Sequence, residues 1–239
     1  MKNAIVTGGT RGIGFAIATM LIEEGYFVTI TYAHDDAAAE TCRQKLSVHT
    51  DRFEIIKSDN ADKNQMSAFT ARMRQKGHID CIVCNAGTTL RKTLPSISDD
   101  EWEEVLHVNL NSKVFLVRDL LPVIPDGSRI IFIASMMGIY PHSTSLAYGV
   151  SKAAIIALAE NMVKQFERSG TTVNAIAPGF VDTEWQNNKE AEHRKRICEK
   201  IALGRFADPS EIAEAVRFCV RSAYVNGSVI QVSGGYSYK

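Results

Sequence analysis

The sequence predicts one doubly wound α/β domain, with a mainly parallel seven-stranded sheet and helices on both faces. Two observations predict this class. Short β-rich runs alternate with longer segments of helical period along almost all of the 239 residues, and a glycine-rich segment directly follows the first run. Strict alternation of this kind implies parallel strands that are joined by right-handed helical crossovers.

The predicted elements follow one another without an internal repeat or a linker. The strand predictions are residues 4–7, 27–31, 53–57, 79–84, 129–134, 172–177 and 228–232, and the helix predictions lie near 12–24, 36–47, 62–76, 99–120, 147–168 and 209–221. Two helices begin with capping signals: Ser98 and Glu101 form a capping-box pattern, and Asp208 precedes Pro209 at the first helical position. The charged segment 182–203 is interpreted as an insertion within a single domain that covers residues 1–239.

Composition and charge argue against two classes of partner. Lys+Arg and Asp+Glu both number 27, which removes the basic bias typical of proteins that bind nucleic acid or an anionic membrane. Unbroken apolar runs stay far below the ~20 residues that cross a bilayer. The chain starts directly with a β-rich run and shows no signal peptide, so a cytoplasmic protein is expected.

The five cysteines predict neither a disulfide framework nor a metal site. Cys81 and Cys84 form a C-x-x-C, but they lie in a strand-like run, where residues i and i+3 face opposite sides of a sheet. No second Cys/His pair at zinc-ligand spacing accompanies them. We therefore expect two small core residues and no structural metal.

The glycine-rich segment predicts a dinucleotide site. Gly8, Gly12 and Gly14 form a G-x-x-x-G-x-G pattern between the first strand and the first helix. Glycines at such a junction let the backbone turn sharply and approach a ligand, and the helix N-terminus offers unpaired N–H groups to a phosphate. A tight turn without a ligand is the alternative, but the position of the segment favours a Rossmann-type nucleotide site.

The end of the second strand bears on which dinucleotide is bound. Tyr32 stands where an NAD-preferring site usually has an acidic residue that accepts from the ribose 2′-OH. Arg11 and His34 are both suited to a 2′-phosphate at the same ribose. NADP(H) is therefore favoured, although Asp35 or Asp36 could weaken that preference and NAD(H) stays an alternative.

Four further residues predict a hydride-transfer site that needs no metal. Tyr148 and Lys152 are four residues apart on one helix face, where an ammonium group stabilises a phenolate and makes the tyrosine a better acid or base. Ser135 follows the fifth strand at the carboxyl edge of the sheet, where it is able to hold a carbonyl oxygen. Asn109 lies inside a helical segment for which it has poor propensity, which favours a polar task such as holding water. Each of the four also has an ordinary explanation as a surface or turn residue.

Together these motifs resemble those of the short-chain dehydrogenase/reductase family. The set comprises, in family order, Thr7-Gly8-x-x-x-Gly12-x-Gly14, Asn85-Ala86-Gly87, Asn109, Ser135, Tyr148-x-x-x-Lys152 and Pro178-Gly179-x-x-x-Thr183. The resemblance covers essentially the whole chain. It implies an enzyme that transfers a hydride between a nicotinamide dinucleotide and a carbonyl or secondary alcohol.

The resemblance also implies a role for each residue. Tyr148 would donate the proton in carbonyl reduction, and Lys152 would lower the tyrosine pKa and bind the nicotinamide ribose. Ser135 would orient the carbonyl, Asn109 would hold a water that links Lys152 to solvent, and Asp59 with Asn60 would meet the adenine. The residues implied in cofactor binding are Gly8, Thr10, Arg11, Gly12, Ile13, Gly14, Tyr32, His34, Asp59, Asn60, Asn85, Ala86, Gly87, Tyr148, Lys152, Pro178, Gly179, Val181 and Thr183.

Four positions depart from the family pattern. Cys84 stands where an Asn often precedes Asn-Ala-Gly, and Ala134 stands where a Ser frequently precedes Ser135. Asn60 occupies a position that is commonly apolar, and Ser233 replaces the Asp of the family's D-G-G ending. None of these changes removes a group that the chemistry requires.

Within the family the chain most resembles the 3-oxoacyl-acyl carrier protein reductases of fatty acid biosynthesis. The stretches that carry this likeness are 85–91, 100–102 and 174–183, with the glycine pair near the terminus. Related ketoreductases share these scaffold positions, so a free small ketone, sugar or steroid alcohol is the alternative substrate. A non-catalytic dinucleotide sensor is a second alternative, but such proteins typically lose the Tyr/Lys pair that is intact here.

Partners are expected from the resemblance as well. It implies a homotetramer joined through helices 99–120 and 147–168 and the C-terminal strand, and a segment 182–203 that opens as a lid. Residues 193–196 with Lys200 could offer a basic patch to an acidic acyl carrier, with a solvated helix face as the alternative. An apolar stripe suits either the chain's own core or a subunit interface; it consists of Ile155, Ile156, Leu158, Ala159, Met162 and Val163.

Overall fold

A computed structural model describes residues 1–141, 145–187 and 189–238, and its seven strands form one parallel sheet. The strands are β1 (Asn3–Val6), β2 (Phe27–Tyr32), β3 (Phe53–Lys57), β4 (Cys81–Cys84), β5 (Arg129–Ile133), β6 (Thr172–Pro178) and β7 (Val229–Val232). Their order is β3-β2-β1-β4-β5-β6-β7, and every neighbouring pair is parallel. The predicted doubly wound fold is confirmed, and the strand order reverses between β1 and β4.

The helices cover both faces of this sheet. In the described ranges they are α1 (Gly12–Glu23), α2 (Asp36–Ser47), α3 (Lys63–Lys76), α4 (Asp99–Leu106), α5 (Ser112–Leu120), α6 (Leu146–Met162), α7 (Ala191–Glu199) and α8 (Pro209–Arg221). Apolar residues of α1, α2 and α8 form one core cluster with the sheet. Residues of α3, α5 and α6 form a second cluster on the opposite face.

The central strands are buried on both faces, as a parallel sheet between two helix layers requires. Along β4, Cys81 and Val83 pack into the α1/α8 cluster, whereas Ile82 and Cys84 pack into the α3/α5/α6 cluster. The two cysteines are therefore free core residues on opposite faces, which confirms the prediction for the C-x-x-C. Among the described residues, no group of three or more His, Cys, Asp or Glu side chains is placed to hold a metal ion.

Both predicted capping patterns are confirmed. Ser98 accepts a hydrogen bond from the Glu101 amide at 3.3 Å, and the Glu101 carboxylate accepts from the Ser98 amide at 3.1 Å. Asp208 caps α8 by accepting from the Ser210 amide at 2.8 Å, and Glu211 accepts from the Asp208 amide at 2.7 Å. These contacts satisfy N–H groups that a helix start otherwise leaves unpaired.

The segment predicted as a helix, 99–120, is helical throughout, but it is not a regular α-helix along its whole length. A π-turn over His107–Asn111 separates α4 from α5. A π-turn inserts one extra residue into the helical ladder, and it leaves no Pro or Gly in the sequence as a signal. The turn matters because it carries Asn109.

Helix α6 lies against the sheet and carries the apolar stripe. Ile155, Ala159 and Met162 are buried in the α3/α5/α6 cluster, and Ile156, Leu158 and Val163 pack against it. The stripe thus belongs to the chain's own core. The stretch Leu146–Phe166 is also the one helix among the described residues that is long and apolar enough to cross a membrane, a test that core helices of soluble proteins also pass.

Segment 182–203 is largely helical, which its charge pattern did not predict. It contains a 3₁₀ turn at Glu184–Gln186 and helix α7, whereas Asn188 lies outside the described residues. Ile197 of α7 is buried in a small cluster with Phe180 and Phe206, which holds the segment against the end of β6.

Candidate active site

The carboxyl ends of β1 and β4 meet where the strand order reverses, and Thr7 joins them there. The Thr7 hydroxyl accepts hydrogen bonds from the backbone N–H groups of Asn85 and Ala86, both at 3.0 Å. The Asn85 side chain donates in return to the carbonyl oxygens of Thr7 and Gly8, at 3.0 and 2.8 Å. Asn85, Ala86 and Gly87 are therefore fixed against the glycine turn, at the edge where doubly wound folds bind ligands.

The glycine turn is packed too closely for side chains. Gly8 has φ +61°, and a Cβ there would lie 3.0 Å from Cα of Ala86. A Cβ on Gly14 would collide with the Gly8 carbonyl oxygen and would lie 2.6 Å from Nδ2 of Asn85. The turn leads into α1, whose N-cap residue Arg11 makes no side-chain cap. A helix start with uncapped N–H groups behind a turn of this kind fits the diphosphate of a dinucleotide.

Two other predicted cofactor residues lie in the turn and at the start of α1. Thr10 is buried, at 9% exposure, within the turn. Ile13 is partly buried and packs against the α1/α8 core cluster. Both support the shape of the turn.

The side chains predicted to contact the ribose and its 2′-phosphate each have a carboxylate partner. Arg11 Nη1 lies 2.8 Å from Oδ2 of Asp35, and His34 Nε2 lies 3.1 Å from Oδ2 of Asp59. Tyr32 donates its hydroxyl to Asp36 at 2.9 Å, and this bond raises the pKa of the tyrosine. The structure thus brings Arg11, Tyr32 and His34 to one end of the cleft. Each of them contacts one carboxylate there.

Asn60, which was predicted to contact the adenine together with Asp59, has a buried side chain that points to α5. Its side chain is 5% exposed and donates to Oγ of Ser112 at 3.2 Å. The Asn60 side chain is therefore joined to α5 by one of its N–H groups.

Ser135, Tyr148 and Lys152 come together at the carboxyl end of β5. Ser135 follows the strand directly, and its hydroxyl lies close enough to Tyr148 on α6 to lower the pKa of that phenol. Lys152 Nζ donates to the carbonyl oxygen of Ile133 at 2.7 Å and lies 5.5 Å from the centre of the Tyr148 ring. The predicted trio is thus one cluster with a phenol, a hydroxyl and an ammonium.

Burial acts on both titratable members of this cluster. It raises the pKa of Tyr148, and the hydrogen bond with Ser135 lowers it. Burial also brings the pKa of Lys152 well below its ordinary value, and the like charge of Lys113 lowers it further. Burial thus disfavours the charged form of each group, as expected for a desolvated site.

Asn109 lies in the π-turn and binds the segment that follows Gly87. Its Nδ2 donates to the Thr88 carbonyl and to Oγ of Ser151, both at 2.9 Å, and its Oδ1 accepts from the Thr88 amide at 2.8 Å. The residue is 0% exposed. Both side-chain donors are occupied, so the side chain holds the backbone beside Gly87 in place.

The remaining predicted residues form the opposite wall of the cleft. Pro178 ends β6, Gly179 donates its amide to Val232 at 2.9 Å, and Val181 forms a bridge with Ala207. Cγ2 of Thr183 would lie 3.1 Å from a Cβ on Gly12. This segment therefore crosses directly in front of the glycine turn.

Three residues in this region were absent from the predicted site. Thr7 joins the two strand ends, Ser151 accepts from Asn109, and Lys113 lies behind Ala86. Thr7 was visible as part of the first motif. Ser151 and Lys113 gave no signal, because a Ser or Lys inside a helical segment is usually solvated.

A separate cavity of about 700 Å³ lies between α1, residues 182–187 and the start of α8. It shares Gly12 and Thr183 with the nucleotide cleft. Ser135, Tyr148 and Lys152 do not line it, so it is distinct from the cluster around the phenol.

Comparisons with known proteins agree with this geometry. The family model for short chain dehydrogenase matches residues 2–194. A 3-oxoacyl-[acyl-carrier-protein] reductase of Staphylococcus aureus strain Mu50 is 31% identical over 240 residues, covering 98% of this chain and 97% of the relative. Its counterpart from Chlamydia trachomatis is 34% identical, covering 98% and 96%.

Solved structures show the same likeness. A short-chain dehydrogenase/reductase from Serratia marcescens has a TM-score of 0.92 at 30% identity, covering 99% of this chain and 98% of the other. A short chain dehydrogenase from Burkholderia cenocepacia, solved in complex with NADP, has a TM-score of 0.91 at 27% identity, covering 99% and 98%.

Proposed function

This chain belongs to the short-chain dehydrogenase family, and from that premise we propose that it reduces a 3-oxoacyl thioester, with NADPH as reductant and an acyl carrier protein as the group that presents the substrate. Members of the family are oxidoreductases that use NAD(P) to interconvert carbonyls and alcohols. The observation that carries the chemistry is the cluster of Ser135, Tyr148 and Lys152 beside the glycine turn. The substrate class is supported by full-length identities of 31% and 34% to reductases of that name.

The reduction adds one hydride and one proton to the carbonyl. A nicotinamide dinucleotide held at the glycine turn would supply the hydride to the carbonyl carbon. Ser135 lies at the carboxyl end of β5 close to Tyr148 of α6, so both hydroxyls would be able to donate to one carbonyl oxygen. Tyr148 then gives its proton to that oxygen, and the product is a secondary alcohol. In its protonated form Lys152 would stabilise the phenolate that remains, because an ammonium near a phenol favours its ionised form.

Preference for NADP(H) is proposed from Arg11 and His34. Arg11 and the His34 imidazole lie at the ribose end of the cleft, where a 2′-phosphate would compete with Asp35 and Asp59 for their N–H groups. A phosphate with two charges and several acceptor oxygens forms stronger charge-assisted hydrogen bonds than a carboxylate that is already shared. A structural neighbour solved with NADPH, a blue fluorescent protein from a metagenomic library, is 28% identical to this chain with a TM-score of 0.92.

A cytoplasmic homotetramer is proposed for the assembly. β7 is an edge strand, and Leu146 and Val150 of α6 are exposed apolar residues at 40% and 42%. Unpaired strand edges and exposed apolar side chains are what a subunit interface covers.

Segment 182–203 is proposed as the lid over the substrate. Ile197 anchors α7 by packing with Phe206, and Arg194 pairs with Asp182 at 3.0 Å. Arg196 pairs with Glu192 at 3.7 Å. Two of the four basic residues at 193–196 are thus offset by carboxylates, which weakens the patch as a docking surface for an acidic carrier.

The decisive experiment follows NADPH and NADH oxidation with acetoacetyl-CoA as a surrogate for the carrier-linked thioester. We expect turnover with NADPH that exceeds turnover with free ketones, sugars and steroid alcohols of a test panel. Turnover only with a free carbonyl compound would keep the chemistry and replace the substrate. Nucleotide binding without turnover on any member of the panel would favour the non-catalytic sensor.

A further inference from the structure

Lys113 of α5 is a lysine in the interior of the protein. Its side chain is 0% exposed. Nζ donates to the carbonyl oxygen of Ala86 at 2.6 Å and lies 3.3 Å from that of Val108. Among the described residues no carboxylate pairs with it. Lysines are almost never fully buried without such a partner, so this one calls for a reason.

The titratable groups that face Lys113 do not neutralise it. They are Cys84 on β4 and Lys152 on α6. Burial raises the pKa of the Cys84 thiol to about 12, so the thiol stays neutral at physiological pH. Burial lowers the pKa of Lys113 to about 8, so the ammonium is still mostly protonated at neutral pH.

The two carbonyl groups that Lys113 binds belong to the two segments that frame Lys152. Ala86 lies within the turn that contacts Gly8, and Val108 lies in the π-turn beside Asn109. The next residue after Ala86 is Gly87, where a Cβ would lie 3.7 Å from Nζ of Lys152. One ammonium group therefore ties the nucleotide-binding turn to the π-turn directly behind the reacting cluster.

We propose that Lys113 is a positioning residue of this site, which fixes the Asn-Ala-Gly turn against the π-turn and places a second positive charge behind Lys152. This inference rests on the proposed carbonyl reduction for its kinetic consequence, but its effect on nucleotide binding follows from the fold alone. The residue acts through Ala86 and Lys152 and does not touch the substrate.

Two consequences separate this role from simple packing. First, loss of the hydrogen bonds loosens the turn at Ala86 and weakens nucleotide binding. Second, loss of the charge removes a cation from the neighbourhood of the Tyr148–Lys152 pair. A nearby cation favours loss of a proton from both groups, so its removal shifts the first proton loss of the pair to higher pH. Reduction requires the protonated pair, and its alkaline limit should move upward with it.

The test compares two variants of the full chain. Lys113→Met removes charge and hydrogen bonds but keeps the length of the side chain, whereas Lys113→Gln removes the charge and keeps an N–H donor. Lys164→Met, at an exposed lysine after α6, is the matched control. The measurements are the dissociation constant of NADPH from pH 6 to 10 and the pH profile of kcat/KM for reduction.

We expect the NADPH dissociation constant to rise about tenfold in Lys113→Met, the loss expected from one hydrogen bond to a charged group, and to recover largely in Lys113→Gln. The alkaline limb should move up by about one pH unit in both variants, as removal of a close charge predicts. Lys164→Met should match the wild type in both measurements.

Unchanged NADPH binding together with an unchanged pH profile in Lys113→Met would overturn the proposal. Weaker binding with no pH shift in either variant would also overturn it, because Lys113 would then have only a packing role. If the wild type turns over no thioester or ketone, the proposed function fails. The binding data then decide on Lys113 alone: the pH at which NADPH affinity falls should be higher in Lys113→Met than in the wild type, and equal midpoints would reject it.

Discussion

The pKa of Tyr148 is under two opposing influences, and in the proposed reaction its hydroxyl gives the proton. Burial raises its pKa and the Ser135 hydrogen bond lowers it. In Tyr148→Phe the ring and its packing remain while the proton is lost. We expect kcat to fall at least about a hundredfold, the range that general acid catalysis contributes. NADPH binding, measured by fluorescence titration, should stay within a few-fold of the wild type.

A second residue-scale prediction concerns nucleotide choice. Arg11 is 57% exposed at its side chain and shares its charge with Asp35. Because a 2′-phosphate would draw that charge away from the carboxylate, Arg11→Ala should weaken NADPH binding about tenfold and NADH binding much less. Dissociation constants for both nucleotides in both proteins give the answer. Equal changes would mean that Arg11 does not contact the 2′-phosphate.

At the scale of elements, the turn between β1 and α1 is the most constrained part of the site. A Cβ on Gly14 would collide with the Gly8 carbonyl and crowd Asn85. Gly14→Ala must therefore push the turn away from the Asn-Ala-Gly segment, and we expect NADPH binding to be lost. Gly25→Ala is the control: its φ of +87° makes the backbone strained, but nothing lies within 4 Å of the new Cβ. That variant should lose thermal stability and keep its nucleotide affinity.

Elements were predictable from sequence where one local pattern decided them. The alternation of apolar runs and helical periods fixed the sheet, and the caps at Ser98 and Asp208 marked two helix starts correctly. The π-turn at His107–Asn111 was not predictable, because it depends on tertiary contacts with other parts of the chain. Here Asn109 is held by Thr88 and by Ser151, which lie far away along the chain.

The same reasoning explains which site residues the sequence revealed. Ser135, Tyr148 and Lys152 stand at spacings that a motif records, and the structure brings them together. Lys113 belongs to no motif, and its burial arises only when α5 packs behind Ala86. Side chains that act through tertiary contacts in this way are recognised from the folded molecule.

At the scale of the whole molecule, the buried ammonium of Lys113 links folding stability to pH. Its pKa is about 8 in the folded protein and about 10.4 in an unfolded chain. Between these values the unfolded state binds more protons, so the free energy of unfolding rises with pH. The burial cost, about 3 kcal/mol from the difference in pKa, is fully present below pH 8 and is relieved by about pH 10.5.

The difference in unfolding free energy between Lys113→Met and the wild type should therefore depend on pH. At pH 7 the variant avoids the cost of burying a charge, about 3 kcal/mol. It also leaves the Ala86 carbonyl unpaired, which costs about 1–3 kcal/mol. The two proteins should therefore have similar stability, or the variant should be slightly more stable. At pH 9.5 most of the charge cost has gone from the wild type, and the variant should be less stable by about 1–2 kcal/mol. Urea unfolding at both pH values measures the difference, and Lys164→Met corrects for the loss of one surface charge. Parallel changes in wild type and variant between pH 7 and 9.5 would show that Lys113 keeps an ordinary affinity for its proton, and the predicted pH dependence of stability would be wrong.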